Sequence, residues 1–289
     1  MRLMLQQTAL LWVIWLGFAG PVTATTVVSY NDDALIIPPL PFGSVSVRPD
    51  SLLDVGAAAL ALDGATVFSG LEDIDAAHRR ADGQFIFSTV TTSFINGTPF
   101  LDGDLVLYDP VLDSASIFFG ESNFTGAVNI DAFFLFESGP DAGKFLLSTS
   151  ASATVGGLSF GHGDIVLYDP AAPAGTEASV FFPQSNFGGT VGQRNVDAVD
   201  ILPNGNLLLS TSTGGGSLAG LTLREQDLVE WDGVSASQFL DGDGLFDGTT
   251  ADLNAATQVL IPEPGTSLLL GLSLFGLVAI RRFSRRRLR

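Results

Sequence analysis

The sequence predicts an all-β body built from related units, and three observations support this fold class. Short sequence segments recur along the chain and divide it into repeat units. Each unit contains about four short β-type runs, and the last unit has room for only one strand. Gly, Asp, Asn and Pro separate the runs, as is typical of tight turns between strands. The 289 residues include no Cys, so core packing, repeats or bound ions must hold the body together instead of disulfides.

The clearest repeat is a segment that occurs twice almost unchanged, GDLVLYDP at 103–110 and GDIVLYDP at 163–170. A weaker third copy is QDLVEWD at 226–232. Upstream of each copy lies an apolar run that ends in Ser-Thr, and these runs are at 84–89, 144–149 and 206–211. The runs are apolar on both faces, so we expect their strands to be covered on both sides.

Each unit begins with a four-residue start, and the starts are DIDA at 73–76, NIDA at 129–132 and NVDA at 195–198. A fourth start, DLNA at 252–255, is followed by only one strand's length of chain. Conversely, the stretch 26–72 has no start of its own, and its segment 64–68 aligns with the strand predicted at 116–119. The arrangement predicts a closed ring in which the last strand completes the first unit.

Strands that are covered on both faces and repeat in units of four are typical of stacked propeller blades. The body therefore resembles a small β-propeller of about four units, closed by a C-terminal strand. It lacks WD and kelch signatures, and its period of about 60 residues is longer than theirs. A β-sandwich and a β-solenoid are the alternatives.

Residues 1–24 are predicted to be a signal peptide. Arg2 gives a positive start, LLWVIWLGF at 10–18 is a short apolar run, and small residues at 22–24 fit a signal peptidase site. The run is shorter than the roughly 20 apolar residues that span a bilayer, which favours a cleaved leader over an N-terminal anchor. The secreted body is then expected at 25–260.

Residues 261–289 contain three parts in order. Pro262, Glu263 and Pro264 should keep the backbone extended and accessible to a protease, because proline fixes φ and lacks an N–H donor. The apolar run 267–280 is expected to form a transmembrane helix, and the basic residues after it would stop transfer. The stop-transfer residues are Arg281, Arg282, Arg285, Arg286 and Arg287.

This order resembles the PEP-CTERM sorting signal of Gram-negative bacteria, over the C-terminal tail only. The resemblance implies that an exosortase, a membrane protease, processes the tail at Pro262–Pro264. It also implies export across the inner membrane, anchoring by the tail before processing, and a final location at the cell surface or outside the cell. A plain C-terminal anchor is the alternative, whereas a GPI signal would not end in an arginine cluster.

The formal net charge is −18, and the body is more acidic than the whole chain. Arg2 and six tail arginines leave 13 − 7 = 6 basic residues in the body, against 31 − 1 = 30 acidic ones. Such a surface repels nucleic acid and anionic lipid and attracts cations. Nucleic acid is therefore excluded as a partner.

Aspartate occupies the third position of the first three starts, as Asp75, Asp131 and Asp197. In a propeller the first strand of each unit lines the central channel, so a ring of carboxylates could bind a cation there. The alternative is structural, because Asp often accepts backbone N–H bonds at turns. In the connectors, the pair Asp102 and Asp104 and the single Asp164 are weaker candidates for a cation site like the acidic segment at 241–252.

A second candidate is a calcium loop with carboxylates at its first, third, seventh and twelfth positions: Asp241, Asp243, Asp247 and Asp252. Calcium favours such oxygen-rich loops. Leu245 occupies a usual ligand position, and Phe246 stands where such loops have Gly, so a solvated acidic turn is the alternative. No other cofactor is predicted.

The segment GLSFG at 157–161 matches the G-x-S-x-G pattern of hydrolase nucleophiles, and His162 follows it. Such a nucleophile needs a strand-to-helix turn and a distant His, but this match lies in a Gly-rich connector without a helix after it. The two His residues, with no matched carboxylate pair, do not form an acid–base set. The sequence therefore predicts a protein that is not an enzyme.

Three function classes follow. The first is an exported cell-surface or extracellular-matrix protein that acts by binding or assembly, with biofilm exopolysaccharide as the partner that the PEP-CTERM resemblance implies. The second is a calcium- or carbohydrate-binding module, for which the acidic connectors are the indication. The third is a secreted propeller-type hydrolase or lyase.

Overall fold

A computed structural model describes residues 23–30, 34–36, 45–55, 57, 59–188, 195–212, 216–242 and 252–261. The described residues form strands and single-turn helices only, which confirms the all-β prediction. None of these helices has the length and apolar character that a membrane span requires. The predicted tail helix at 267–280 lies outside the described residues. By its contacts the chain divides into a compact unit, Ala24–Val259, and a second unit formed by the two chain ends.

Four sheets of four strands each form the body. Sheet I contains β1 (Thr23–Tyr30), β4 (Leu52–Asp54), β5 (Ala59–Leu62) and β25 (Leu253–Ile261). Sheet II contains β6 (Ile74–Arg79), β7 (Phe85–Thr89), β10 (Leu105–Asp109) and β11 (Ser114–Phe119). Sheet III contains β12 (Ile130–Leu135), β13 (Phe145–Thr149), β16 (Ile165–Tyr168) and β17 (Ala178–Phe182). Sheet IV contains β19 (Val196–Ile201), β20 (Leu207–Thr211), β23 (Leu228–Trp231) and β24 (Ala236–Leu240).

Sheets II, III and IV share one topology, in which neighbouring strands are antiparallel and follow the order of the chain. Sheet I has the order β25-β1-β4-β5, so its first strand comes from the end of the body and its other three from the beginning. The last strand therefore completes the first sheet, as the fourth start predicts. Its pairing joins two segments that are more than 200 residues apart in sequence.

Side chains of the second strands are covered on both faces, as their apolar sequences predict. Every residue of β7, β13 and β20 is buried. The clusters of buried side chains combine residues from neighbouring sheets, for example Ile86 of sheet II with Phe133 of sheet III. Since each sheet buries both faces against its neighbours, burial of apolar area is the main contribution to stability.

One aligned segment of the first unit differs from the prediction. Gly64–Val67 forms a helical turn and not a strand, and the outer strand of sheet I is β5. The carboxylate of Asp63 caps the turn by accepting the N–H of Ala65 at 3.1 Å. Gly64 is required by close packing, because a Cβ there would lie 1.9 Å from the carbonyl oxygen of Asp50.

A hairpin between the second and third strands of each sheet was not predicted from the sequence. The hairpins are β2 (Ala34–Ile36) with β3 (Val45–Val47), β8 (Ser93–Ile95) with β9 (Thr98–Phe100), β14 (Ala153–Val155) with β15 (Leu158–Phe160), and β21 (Ser217–Leu218) with β22 (Leu221–Thr222). The last hairpin is extended to three strands by β18 (Phe187–Gly188), which pairs with β21. Positive φ angles of 50° at Asn96 and 78° at Gly97 fit the two-residue turn that hairpins favour. These insertions account for the long repeat period.

Equivalent backbone hydrogen bonds link the four sheets in a cycle. In each bond, the N–H of the second start residue donates to a carbonyl oxygen of the preceding sheet's connector. The bonds are Ile74 to Pro49 at 3.0 Å, Ile130 to Asp102 at 3.3 Å, Val196 to His162 at 3.2 Å and Leu253 to Glu225 at 3.1 Å. The fourth bond returns from sheet IV to sheet I, so every sheet contacts two neighbours.

Candidate functional site

Four start segments meet where the first strands of the sheets begin. Their third residues are Asp75, Asp131, Asp197 and Asn254, and all four are buried. The carboxylate of Asp197 interacts electrostatically with those of Asp131 and Asp75. The structure therefore brings together the three aspartates that the sequence predicts to form a ring, and we call these four positions the acidic ring.

A β-bulge places each aspartate of the acidic ring. The pairing between the first and second strands shifts register at Ile74/Ala76 in sheet II, at Ile130/Ala132 in sheet III and at Val196/Ala198 in sheet IV. The extra residue at each shift is the aspartate. A bulge leaves its extra residue unpaired and changes the direction of its side chain, so the same local irregularity aims three carboxylates toward one another.

Side-chain amides of the starts donate hydrogen bonds to two of the three aspartates of the acidic ring. Asn129 donates through Nδ2 to Oδ2 of Asp75 at 2.5 Å, and Asn195 makes the corresponding bond to Oδ2 of Asp131. In both pairs the first residue of one start bonds to the third residue of the preceding start. Such a hydrogen bond to an ionised group contributes about 1.5–3 kcal/mol.

The amide and the carboxylate exchange positions at the junction between sheets I and II. Asn254, the third residue of the fourth start, donates through Nδ2 to Oδ1 of Asp73 at 3.0 Å. Here the carboxylate belongs to the first position and the amide to the third. This junction is therefore also an amide–carboxylate pair.

The junction between sheets IV and I is the exception, because both positions carry acids. Asp252 is the first residue of the fourth start, and its carboxylate interacts electrostatically with that of Asp197. Asp197 is only 5% exposed, and neither of its carboxylate oxygens has a hydrogen-bond partner. A buried carboxylate without a partner is costly, so this junction differs energetically from the other three.

Burial is the main cause of raised pKa values throughout the acidic ring. It raises the pKa of Asp75 to about 8, with a further contribution from the negative charge of Asp131. Burial also raises the pKa of Asp131 to about 7, against the opposing effect of the Asn195 hydrogen bond. The pKa of Asp197 is raised well above its ordinary value by burial and then by the charge of Asp252. Burial and the charge of Glu225 raise the pKa of Asp252 to about 8.

Further oxygen atoms of this region are buried without a hydrogen-bond partner. They are Oδ1 of Asn129, Oδ1 of Asp131 and Oδ1 of Asn195. All of them are acceptors, so they can be satisfied by a cation, a proton or a water molecule but not by one another. Within the described ranges, no three His, Asp or Glu side chains are grouped so that they could hold a metal ion together.

The predicted calcium loop is described in part. Asp241 is exposed after β24, and Asp252 lies at the junction between sheets IV and I, whereas Asp243 and Asp247 lie outside the described residues. Whether the four form one site therefore stays a prediction.

Connector aspartates have a structural role. Asp104 accepts the N–H groups of Leu101 at 2.9 Å and Glu121 at 2.8 Å. Asp164 accepts those of Gly161 at 2.8 Å and Gln184 at 2.7 Å in the same way. Because both oxygens of each carboxylate bind backbone donors, the weaker cation assignment for these two residues is replaced by a turn-stabilising one.

The serine of the G-x-S-x-G match lies in a hairpin strand. Ser159 is in β15, and its hydroxyl is 2.8 Å from that of Thr154 on the paired strand. A nucleophile elbow requires a tight turn from a strand into a helix, and this segment pairs as a strand instead. The prediction that the GLSFG segment lies in a connector between two strands is therefore correct. The connector itself forms a hairpin.

The role of the asparagines in the start segments was not predicted from the sequence. The alternation of Asn129 with Asp131 and of Asn195 with Asp197 is visible in the starts. Recognising it as a pairing pattern requires the knowledge that the first residue of one start meets the third residue of the preceding one.

Comparison with known proteins identifies the tail. Residues 260–286 match the PEP-CTERM protein-sorting motif, which confirms the resemblance and implies an exported protein that an exosortase sorts. The matched residues that carry it, Pro262, Glu263 and Pro264, lie outside the described residues, as do the five stop-transfer arginines. No curated protein matches the chain.

Solved structures of similar fold have little sequence identity with this chain. One is YCF48 bound to a D1 peptide, with 11% identity, a TM-score of 0.32, and coverage of 77% of this chain and 54% of that chain. Another is from a nidogen/laminin complex, with 10% identity, a TM-score of 0.39, and coverage of 82% and 99%. Both are propeller-like. At these TM-scores the likenesses carry no argument about the number of blades or the ligand.

Proposed function

We propose that this chain is a non-catalytic protein that is exported across the inner membrane of a Gram-negative bacterium and sorted by an exosortase. Signal peptidase would remove residues 1–24, and the tail would anchor the chain in the membrane until it is processed. The mature body would then act at the cell surface or in the extracellular matrix by binding or assembly. The observation that carries the proposal is the sorting motif at 260–286.

We infer that the body is a four-bladed propeller with sheets I to IV as its blades. Support comes from the four equivalent backbone bonds between successive sheets and from the contribution of β25 to sheet I. A ring that is closed by its last strand leaves no sheet with an uncovered face. Such a scaffold is rigid, which suits a protein that presents a binding surface outside the cell.

The hairpins are the candidate binding surface. Each hairpin follows the second strand of a sheet. The end of that second strand pairs with the beginning of the first strand, as Thr89 pairs with Ile74 in sheet II. The hairpins therefore lie at the end of each sheet where the first strand begins. Thr26 and Gln258, near the two ends of the unit Ala24–Val259, are hydrogen bonded at 2.7 Å. The adjacent Thr257 accepts the N–H of Arg79, at the opposite end of a first strand, at 3.4 Å. The chain thus enters and leaves this unit at the end opposite the hairpins. The exposed side chains of the hairpins, such as Phe94, could therefore contact a partner.

Exopolysaccharide is the partner class that the sorting motif favours. A glycan array with the mature protein tests this directly, and a screen of hydrolase substrates tests the enzymatic alternative. Binding to a neutral polysaccharide without turnover is the expected result, because the acidic body would repel an anionic one. Turnover of any glycan or ester would instead support the hydrolase or lyase class.

The sorting proposal is tested by fractionation of the native host with and without its exosortase. We expect the body at the cell surface or in the medium of the wild type. In the deletion strain we expect the full-length chain in the membrane fraction. A variant with Pro262→Ala and Pro264→Ala is the matched control and should behave in the wild type as the unaltered chain does in the deletion strain. Identical fractionation in both strains would contradict the proposal.

A further inference from the structure

At three of its four junctions, the acidic ring has a side-chain amide that donates a hydrogen bond to a carboxylate. Asn129, Asn195 and Asn254 supply these amides. At the fourth junction Asp252 stands in the position that Asn129 and Asn195 occupy at theirs. The charge of Asp197 is therefore opposed by another carboxylate instead of being bound by an amide donor.

Asp197 provides an independent indication that this junction can bind a ligand. Its side chain is buried, with 5% exposure, and both oxygens lack a hydrogen-bond partner. The charges that act on it come from Asp252, Asp131 and Asp75, and all three are negative when these groups are ionised. Such a group is stable only when positive charge or a proton reaches it.

At alkaline pH, where carboxylates lose their protons, the number of nearby negative charges favours a cation at this junction. A single retained proton would neutralise only one charge of the pair. Asp252 also interacts with the charges of Glu225, Asp73 and Asp131, so the pair belongs to a larger cluster of carboxylates. A divalent cation offsets two charges and accepts several oxygen ligands at once.

We propose that the junction between sheets IV and I binds a calcium ion or a similar hard cation, with the carboxylates of Asp197 and Asp252 as its protein anchors. Calcium takes six to eight oxygen ligands and accepts water among them. Since no three described acids are grouped to hold a metal, water molecules would complete the shell. The cation would join the last strand of the body to sheet IV. This proposal is independent of the sorting function.

The first test measures the melting temperature of the full-length chain in detergent at pH 8, with EDTA or with calcium. We expect calcium to raise Tm by about 5–10 °C at a concentration about 100-fold above its Kd. Asp252→Asn should raise Tm in EDTA and abolish the calcium response, because it provides the amide that the other junctions have. Terbium luminescence should show one bound ion in the wild type and none in this variant.

Two further variants separate the junction from the predicted loop at 241–252. Asp197→Asn lies outside that loop and should abolish the calcium response, whereas Asp241→Asn should retain it. Loss of the response in Asp241→Asn, with retention in Asp197→Asn, would assign the cation to the loop and overturn the proposal. A wild-type Tm that calcium does not change at pH 8 would also overturn it.

Discussion

The side-chain amide of Asn129 donates to Oδ2 of Asp75 at 2.5 Å, across the junction between sheets II and III. This bond joins the first residue of one start to the third residue of the preceding start. It shows how a repeated pair of short polar side chains connects successive sheets where their first strands begin. The same rule explains why one junction, where Asp252 meets Asp197, differs from the others.

Asn129→Asp should replace the amide donor at the junction between sheets II and III with a second carboxylate. In EDTA at pH 8 we expect a loss of about 1–3 kcal/mol in the free energy of unfolding, because the Asp75 carboxylate loses its donor and gains a like charge. Chemical denaturation measures this loss. Thr92→Asp, which adds the same charge at an exposed site, is the control and should change stability by less than about 0.5 kcal/mol. Equal effects of the two substitutions would refute the pairing rule.

Removal of the last strand should unfold the body. A chain that ends at Gly248 lacks β25 and leaves the first-strand position of sheet I empty beside Val27 and Val28, which are fully buried. A chain that ends at Ile261 retains β25 and is the matched control. We expect a cooperative urea transition in the control and none in the shorter chain. If both chains have the same midpoint, the last strand does not close the fold.

Stability should fall with rising pH because of Asp200. Its carboxylate is 2% exposed and accepts the N–H groups of Ile201 and Gln258, so it holds the last strand to sheet IV. Burial raises the pKa of Asp200 to about 7 despite these bonds. The folded state therefore retains a proton that the unfolded chain releases near pH 4. The contribution of Asp200 to the free energy of unfolding is fully present below about pH 4. It then declines by up to about 1.4 kcal/mol per pH unit until about pH 7.

Asp200→Asn removes this titration and serves as the comparison for the wild type. Denaturation in EDTA at several pH values between about 4.5 and 8 should give a steeper decline for the wild type than for the variant. Parallel pH profiles would mean that Asp200 is ionised throughout this range in the folded state.

Serine hydroxyls at two junctions should contribute separately to stability. Ser88 donates through Oγ to the carbonyl of Ile130 at 2.6 Å, and Ser210 donates to the carbonyl of Leu253 at 2.9 Å. Both bonds are buried and cross from one sheet to the next. Substitution of either serine by alanine should cost about 1–2 kcal/mol, and the double variant should cost about the sum. Exposed Ser122 provides the control, and a control effect as large as the others would argue against the role of these bonds.

Processing of the tail should respond to the length of chain between the body and the sorting motif. The last strand ends at Ile261, and Pro262 follows it directly in sequence. A flexible Gly-Ser insertion of about six residues between them should accelerate release of the body, because a protease needs extended chain in its site. Pulse-chase analysis measures the rate, and the same insertion after Gly97, in a hairpin turn, is the control. A rate that the insertion does not change would show that access is already sufficient.

The second and third strands of sheets II to IV and the closing role of β25 could be predicted from the sequence, because they depend on local apolar runs and repeated motifs. The hairpins could not, because β8 and β14 are three residues long and their turn signals resemble those of any loop. The aspartates of the acidic ring were predicted from their recurrence. Their amide partners depend on contacts between sheets, which neither periodicity nor spacing shows. The helical turn at Gly64–Val67 was aligned as a strand because its capping by Asp63 depends on local backbone geometry.

Mass spectrometry of both termini of the protein, isolated from the surface or medium of its native host, would show whether the chain is sorted and processed. We expect an N-terminus near Thr25 and a C-terminus near Pro262. A mature protein that retains Arg289 and remains in the membrane fraction would contradict this expectation.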